Sequence, residues 1–177
     1  MGPVNHRRTA LALGVVLSVV TAERAGGSFE WPMVAGMMAG SLMGARAPDI
    51  LEIPMLTHAG RISVIPHRTW THWWVPWMAL SILLSTLMQT AHFALWLNAV
   101  IVGFVAASLL HLCMDLFSPT GIPLVVPTAN YRAHLPGYQT GNASETVFAL
   151  VVCLVFLGLA AFLWGNHGLW MMAWAHA

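Results

Sequence analysis

His111 and Asp115 stand four residues apart in the stretch 103–127, GFVAASLLHLCMDLFSPTGIPLVVP, so on a helix they share one face. A carboxylate in an apolar helix costs about 2.5–3.5 kcal/mol at the bilayer centre and less near an end. Asp115 therefore needs a partner, and a metal ion is one good candidate. Gly103 and Ala107 continue the same face at the same spacing. A second informative spacing is His67-Arg68-Thr69-Trp70-Thr71-His72, two imidazoles at a loop-to-helix junction, where Thr71 is placed to cap the helix. His6, Asp49, Glu52 and Glu145 complete a set of imidazoles and carboxylates. That set suits zinc, manganese or iron.

The chain that must position these groups is that of a membrane protein. Of its 177 residues 58% are hydrophobic and 7% charged, against about 25% charged in a soluble domain. The length suits one domain, residues 1–177. Seven arginines, no lysine and a formal net charge of +1 exclude a basic patch for nucleic acid. The two cysteines, Cys113 and Cys153, lie in apolar runs and read as small buried hydrophobes. Cys113 points away from the His111 face.

The fold class is all-α, a polytopic bundle of about five spans: residues 9–22, 31–45, 72–90, 93–117 and 145–164. The first two are shorter than the roughly 20 residues of a full crossing. The first run also has the form of a signal peptide, with basic Arg7-Arg8 ahead of a short apolar core. The alternative is a retained helix, in which His6 has a use. The second run contains Gly36, Gly40 and Gly44, a repeat that lets two helices approach closely in lipid. The Gly103/Ala107 face is its natural partner. Trp70, Trp73, Trp74 and Trp77 read as an interfacial belt. Arg7, Arg8, Arg46, Arg61, Arg68 and Arg132 fall on one side of such a bundle and Arg24 on the other. The positive-inside rule makes the arginine-rich side, with its polar loops, cytoplasmic. His6, Asp49, Glu52, His67, His72, His111, Asp115 and Glu145 all fall on that side. A lone loop histidine is more often structural or solvated than a ligand; the case is the convergence.

With these motifs the chain resembles the YdjM-like family of metal-dependent hydrolases of the bacterial inner membrane. The resemblance rests on His6, Pro48-Asp49-Ile50-Leu51-Glu52, His67-Arg68-Thr69-Trp70-Thr71-His72 and His111-Leu112-Cys113-Met114-Asp115. It continues through Ser118-Pro119-Thr120-Gly121-Ile122-Pro123, Val126-Pro127, Leu135-Pro136 and Gly141-Asn142-Ala143-Ser144-Glu145. The chain departs from the family pattern in two places. The acidic motif usually has two aspartates separated by one residue; here Leu51 holds the second place and Glu52 follows. Trp70 and Trp73 stand where the family has a small residue and a Ser.

The resemblance implies a metal-dependent hydrolase at the cytoplasmic membrane face. His6, Asp49, His67, His72, His111 and Asp115 would be the metal ligands, and Glu52 or Glu145 the general base. Arg68 would neutralise an anionic substrate oxygen, which fits a membrane-borne phosphoester or lipid-like substrate. Zinc leads manganese and iron. The rival reading is a non-catalytic scaffold whose structural metal site serves a soluble protein partner. A transporter comes third, because it needs ionisable groups deep within several helices, and here they gather at one end.

Overall fold

The computed structural model describes residues 1–57, 60–65, 68–91, 93–127 and 132–166. Six helices form the body: α1 (Pro3–Arg24), α2 (Trp31–Gly44), α3 (Ala47–Ile50), α4 (Trp74–Thr90), α5 (Leu95–Leu116) and α6 (Ala143–Gly165). A small antiparallel hairpin, β1 (Pro54–Thr57) and β2 (Gly60–Ser63), pairs Pro54 with Ser63 and Thr57 with Gly60. A single 3-10 turn, Trp70–His72, precedes α4.

Helix α1 is longer than its apolar run. Pro3 sits in its first turn, where the missing N–H costs nothing. It stops where Gly26 and Gly27 adopt φ values of 79° and 82°, and the Gly27 N–H closes back on Ala22 O at 2.8 Å. Helix α4 starts at Trp74, so His72 lies in the turn before it. The expected Thr71 cap is absent; its hydroxyl lies 3.1 Å from His72 Nδ1.

The most extensive packing is α2 against α5. A Cβ added to Gly36, Gly40 or Gly44 would run into the backbone carbonyl of Trp96, Val100 or Phe104, and one at Gly103 into that of Met37. The expected glycine-mediated approach is therefore the way these two helices meet. Near the site Ala10, Ala45 and Ala107 form a buried cluster that lets α1, α2 and α5 converge. Trp77 belongs to this interior, with Ala47, Leu112 and Ile122, and its indole N–H donates to Thr71 O at 2.8 Å. Trp70 and Trp74 remain exposed as a belt would be.

Two helices, α5 with 22 residues and α6 with 23, are long and apolar enough to cross a membrane. At 1.5 Å per residue each exceeds the roughly 30 Å of a hydrocarbon core. Helices α2 and α4, with 14 and 17 residues, are shorter than that, and α1 carries Arg7, Arg8, Glu23 and Arg24 within its length. Cys113 is exposed and Cys153 partly so. The expectation of buried thiols fails for Cys113 because the face opposite His111 is an outer face of the bundle.

Candidate metal centre

The start of α1, the end of α2, the start of α4, the end of α5 and the start of α6 bring Asn5, Ala45, the Trp70–His72 turn, Asp115 and Glu145 to one end of the bundle. His111 and Asp115 come from the last turns of α5, His6 from the second turn of α1, Asp49 from α3 and His72 from the 3-10 turn. His6, His72, His111 and Asp115 are all at most 2% exposed. Asp49 is the open side of the cluster, with 31% of its side-chain surface exposed.

Two imidazole nitrogens each face the other and the same two carboxylate oxygens. His72 Nε2 lies 3.3 Å from His111 Nε2 and 3.5 Å from both Asp49 Oδ1 and Asp115 Oδ2. His111 Nε2 lies 3.7 Å from each of the same two oxygens. Metal–nitrogen and metal–oxygen bonds of about 2.0–2.2 Å put neighbouring ligand atoms of a tetrahedron about 3.4 Å apart. Asp49, His72 and His111 form one ligand group; His6, His111 and Asp115 form a second that shares His111.

The outward atoms of both imidazoles are tied down. His111 Nδ1–H donates to Ala45 O at 2.8 Å, leaving Nε2 unprotonated towards the cluster. His72 Nδ1 faces Glu52 Oε1 at 3.2 Å, the carboxylate–histidine arrangement that fixes a metal-binding tautomer. His6 stacks on His111 with ring centroids 3.7 Å apart and planes 11° from parallel. Its Nε2 lies 3.4 Å from Asp115 Oδ1. Nδ1 of this buried histidine has no hydrogen-bond partner, and Nε2 has only that long contact to Asp115. An unsatisfied buried imidazole among imidazoles and carboxylates fits a divalent ion.

Charge follows the same pattern. Burial pushes the Asp49 carboxyl up, but the hydrogen bond to His72 and the nearby imidazoles hold it below its ordinary range. Burial pushes His72 down, yet its hydrogen bonds to Asp115, Asp49 and Glu52 win and raise it to about 10. The three carboxylates thus favour the charged form of His72 in the metal-free cluster.

Arg68 clamps the cluster from outside. Its guanidinium lies 3.1 Å from Asp115 Oδ2 and donates to Ser118 Oγ at 2.6 Å, to Gly121 O at 3.4 Å and to Thr120 Oγ1. Its backbone N–H donates to Glu52 Oε1 at 3.1 Å, and its φ of 58° is left-handed, a strained state for a residue with a side chain. Glu145, by contrast, accepts from Gly2 N at 2.6 Å, Gly141 N at 2.8 Å and Asn5 Nδ2 at 2.9 Å. It fastens the start of α1 to the start of α6. The Met1 amino group reaches Asp115 Oδ1 at 2.7 Å. His67 lies outside the described residues.

The sequence reading missed the Ala45 carbonyl, Asn5 and the Ser118/Thr120 pair as partners of His111, Glu145 and Arg68. A carbonyl has no residue signature. The hydroxyls of Ser118 and Thr120 were legible only as part of a motif.

The family model described as YdjM inner membrane protein matches residues 1–175. No curated protein and no solved structure matches the chain.

Proposed function

We propose, on the premise that the chain belongs to the YdjM inner membrane protein family, that it is a membrane-bound metal-dependent hydrolase. The site end faces the cytoplasm, and the substrate is an anionic phosphoester or lipid-like molecule. One observation carries the reading. Two imidazole nitrogens and two carboxylate oxygens from two helices and a turn lie 3.3–3.7 Å from one another wherever an imidazole is one of the pair. The reading takes α1, α2 and α4 as crossings too, five in all, with their flanking residues completing the shorter ones.

His72, His111, Asp49 and Asp115 hold the ion, with His6 beside them. A divalent ion there, zinc before manganese or iron, supplies Lewis acidity and a water of lowered pKa. Glu52 keeps His72 in its ligating tautomer and is the carboxylate placed to accept a proton at the edge of the cluster. Glu145, held by three N–H donors, anchors α1 so that His6 stays on His111. Arg68, buried against Asp115, balances that charge and adds positive potential that favours an anionic substrate oxygen nearby.

The test is metal analysis of the purified protein with a phosphoesterase and lipase panel. We expect bound metal and turnover together, both lost in His111→Ala. A folded wild type without metal overturns the reading. So does a metal-loaded protein that is idle across the panel and retains a stoichiometric soluble partner.

A further inference from the structure

We propose that the loops around the metal centre form an apolar lip sunk into the adjacent lipid leaflet, so that the substrate, an anionic phospholipid, enters sideways from the bilayer. The substrate class rests on the hydrolase reading above; the lip does not.

The segment 49–53 divides its side chains between two tasks. Asp49 and Glu52 turn inward to His72, while Ile50, Leu51 and Ile53 are each more than half exposed. Large aliphatics so close together on a water-facing loop lose the burial that drives folding. The loop after Ser118 behaves alike, with Val125 81% exposed. These loops adjoin one another. Residues 68–74 bridge them: Trp73 and Trp74 both donate their indole N–H to Leu124 O, at 3.3 and 2.8 Å, and Arg68 binds Ser118 and Gly121 through its side chain and Glu52 Oε1 through its backbone N–H.

The occupant of this surface follows from continuity and charge. Trp74 begins α4, whose apolar surface is exposed at Ile82 and Leu83. The lip therefore runs into a helix face of the kind lipid covers, through indoles suited to the headgroup level. The outward charges at this end among the described residues include the exposed arginines Arg7, Arg8 and Arg46, with the partly exposed Asp49 among them. Asp115, Glu52 and Glu145 are buried and bonded. Exposed aliphatics beside arginine make an interfacial surface for anionic lipid. The opening coincides with it: Asp49 is the exposed ligand, and its chain neighbours are the lip.

The experiment places a single environment-sensitive fluorophore at Leu51→Cys or Val125→Cys, with Cys113 and Cys153 replaced by Ser. The full-length protein is set in nanodiscs of phosphatidylglycerol with or without brominated acyl chains. We expect both labels to be quenched by bromolipid and shielded from aqueous iodide, about 5–10 Å into the headgroup/acyl boundary. Labels open to iodide, or shielded from both quenchers by another protein or a second copy, overturn the lip. A second arm compares Val125→Asp with the parent at equal metal content. Cleavage of vesicle-borne phosphatidylglycerol should fall about tenfold, one 1.4 kcal/mol step, with a short-chain soluble phosphoester unaffected. Equal losses on both substrates overturn lateral entry. Quenching by bromolipid with neither the lipid nor the soluble phosphoester cleaved sinks the hydrolase reading and leaves the lip standing. Iodide-accessible labels with turnover of soluble phosphoesters do the reverse.

Discussion

Replacing Gly40 by Ala should damage a metal centre it does not touch. A Cβ at Gly40 meets Val100 O and lies 2.8 Å from the Val100 carbonyl carbon and 2.9 Å from Phe104 N. These are backbone atoms of α5 and cannot swing aside. Restoring an ordinary carbon–carbon separation of about 3.5 Å moves α2 off α5 by at least about 0.7 Å, and the nearer Val100 O demands more. Helix α2 ends at Gly44, and the next carbonyl, Ala45 O, holds His111 Nδ1 at 2.8 Å. The same displacement stretches that bond to about 3.5 Å, the edge of hydrogen bonding. It also carries Asp49, four residues further on, away from His72. Metal ligands tolerate about 0.2 Å, and loss of an outer partner lowers affinity about 10–100-fold. The assay is metal affinity by competition with a chromogenic chelator in detergent, beside Gly158→Ala, whose Cβ meets nothing within 4 Å. Wild-type affinity in Gly40→Ala would refute the coupling of the glycine seam to the site. A Gly158→Ala loss of the same size would refute its specificity.

Arg68→Lys keeps the charge but loses the fork that spans Asp115, Ser118 and Gly121, so metal affinity should fall about 10-fold or more by chelator competition. Glu145→Gln weakens the bonds to Gly2 and Gly141; loss of charge-assisted bonds predicts about 1–3 kcal/mol less stability in denaturant titration. In the metal-free protein the raised His72 contributes stability that is complete below its unfolded value of about 6.5 and lost as pH climbs towards 10. Thermal melts of the chelated protein should therefore fall over that window. The loaded protein should gain metal affinity with rising pH, because binding displaces the His72 proton.

Much of this was legible because it carries a spacing. The Gly36/Gly40/Gly44 repeat announced a helix that another backbone could approach. His111 and Asp115 announced themselves as an i,i+4 pair too costly to leave without a partner in an apolar helix. The single gathering end was expected from five crossings and the arginine placement; the ligands do gather at one end, while two helices have the length and apolarity of a crossing. What stayed hidden depends on contacts between distant residues. Glu145 read as a candidate base because its bonds to Gly2 and Asn5 span 143 and 140 residues. Trp77 read as belt because nothing local reveals that Thr71 O waits for its N–H. Helix α1 outran its apolar core because Pro3 and the Gly26-Gly27 pair set its ends, and a hydropathy pattern does not register either.

X-ray absorption at the metal edge of the purified, loaded protein tests the central claim most directly. The account predicts a nitrogen and oxygen shell at about 2.0–2.2 Å with imidazole outer-shell scattering, and loss of that imidazole signal in His72→Ala and His111→Ala. A shell with sulfur at about 2.3 Å, or one unchanged when both histidines are removed, would contradict it.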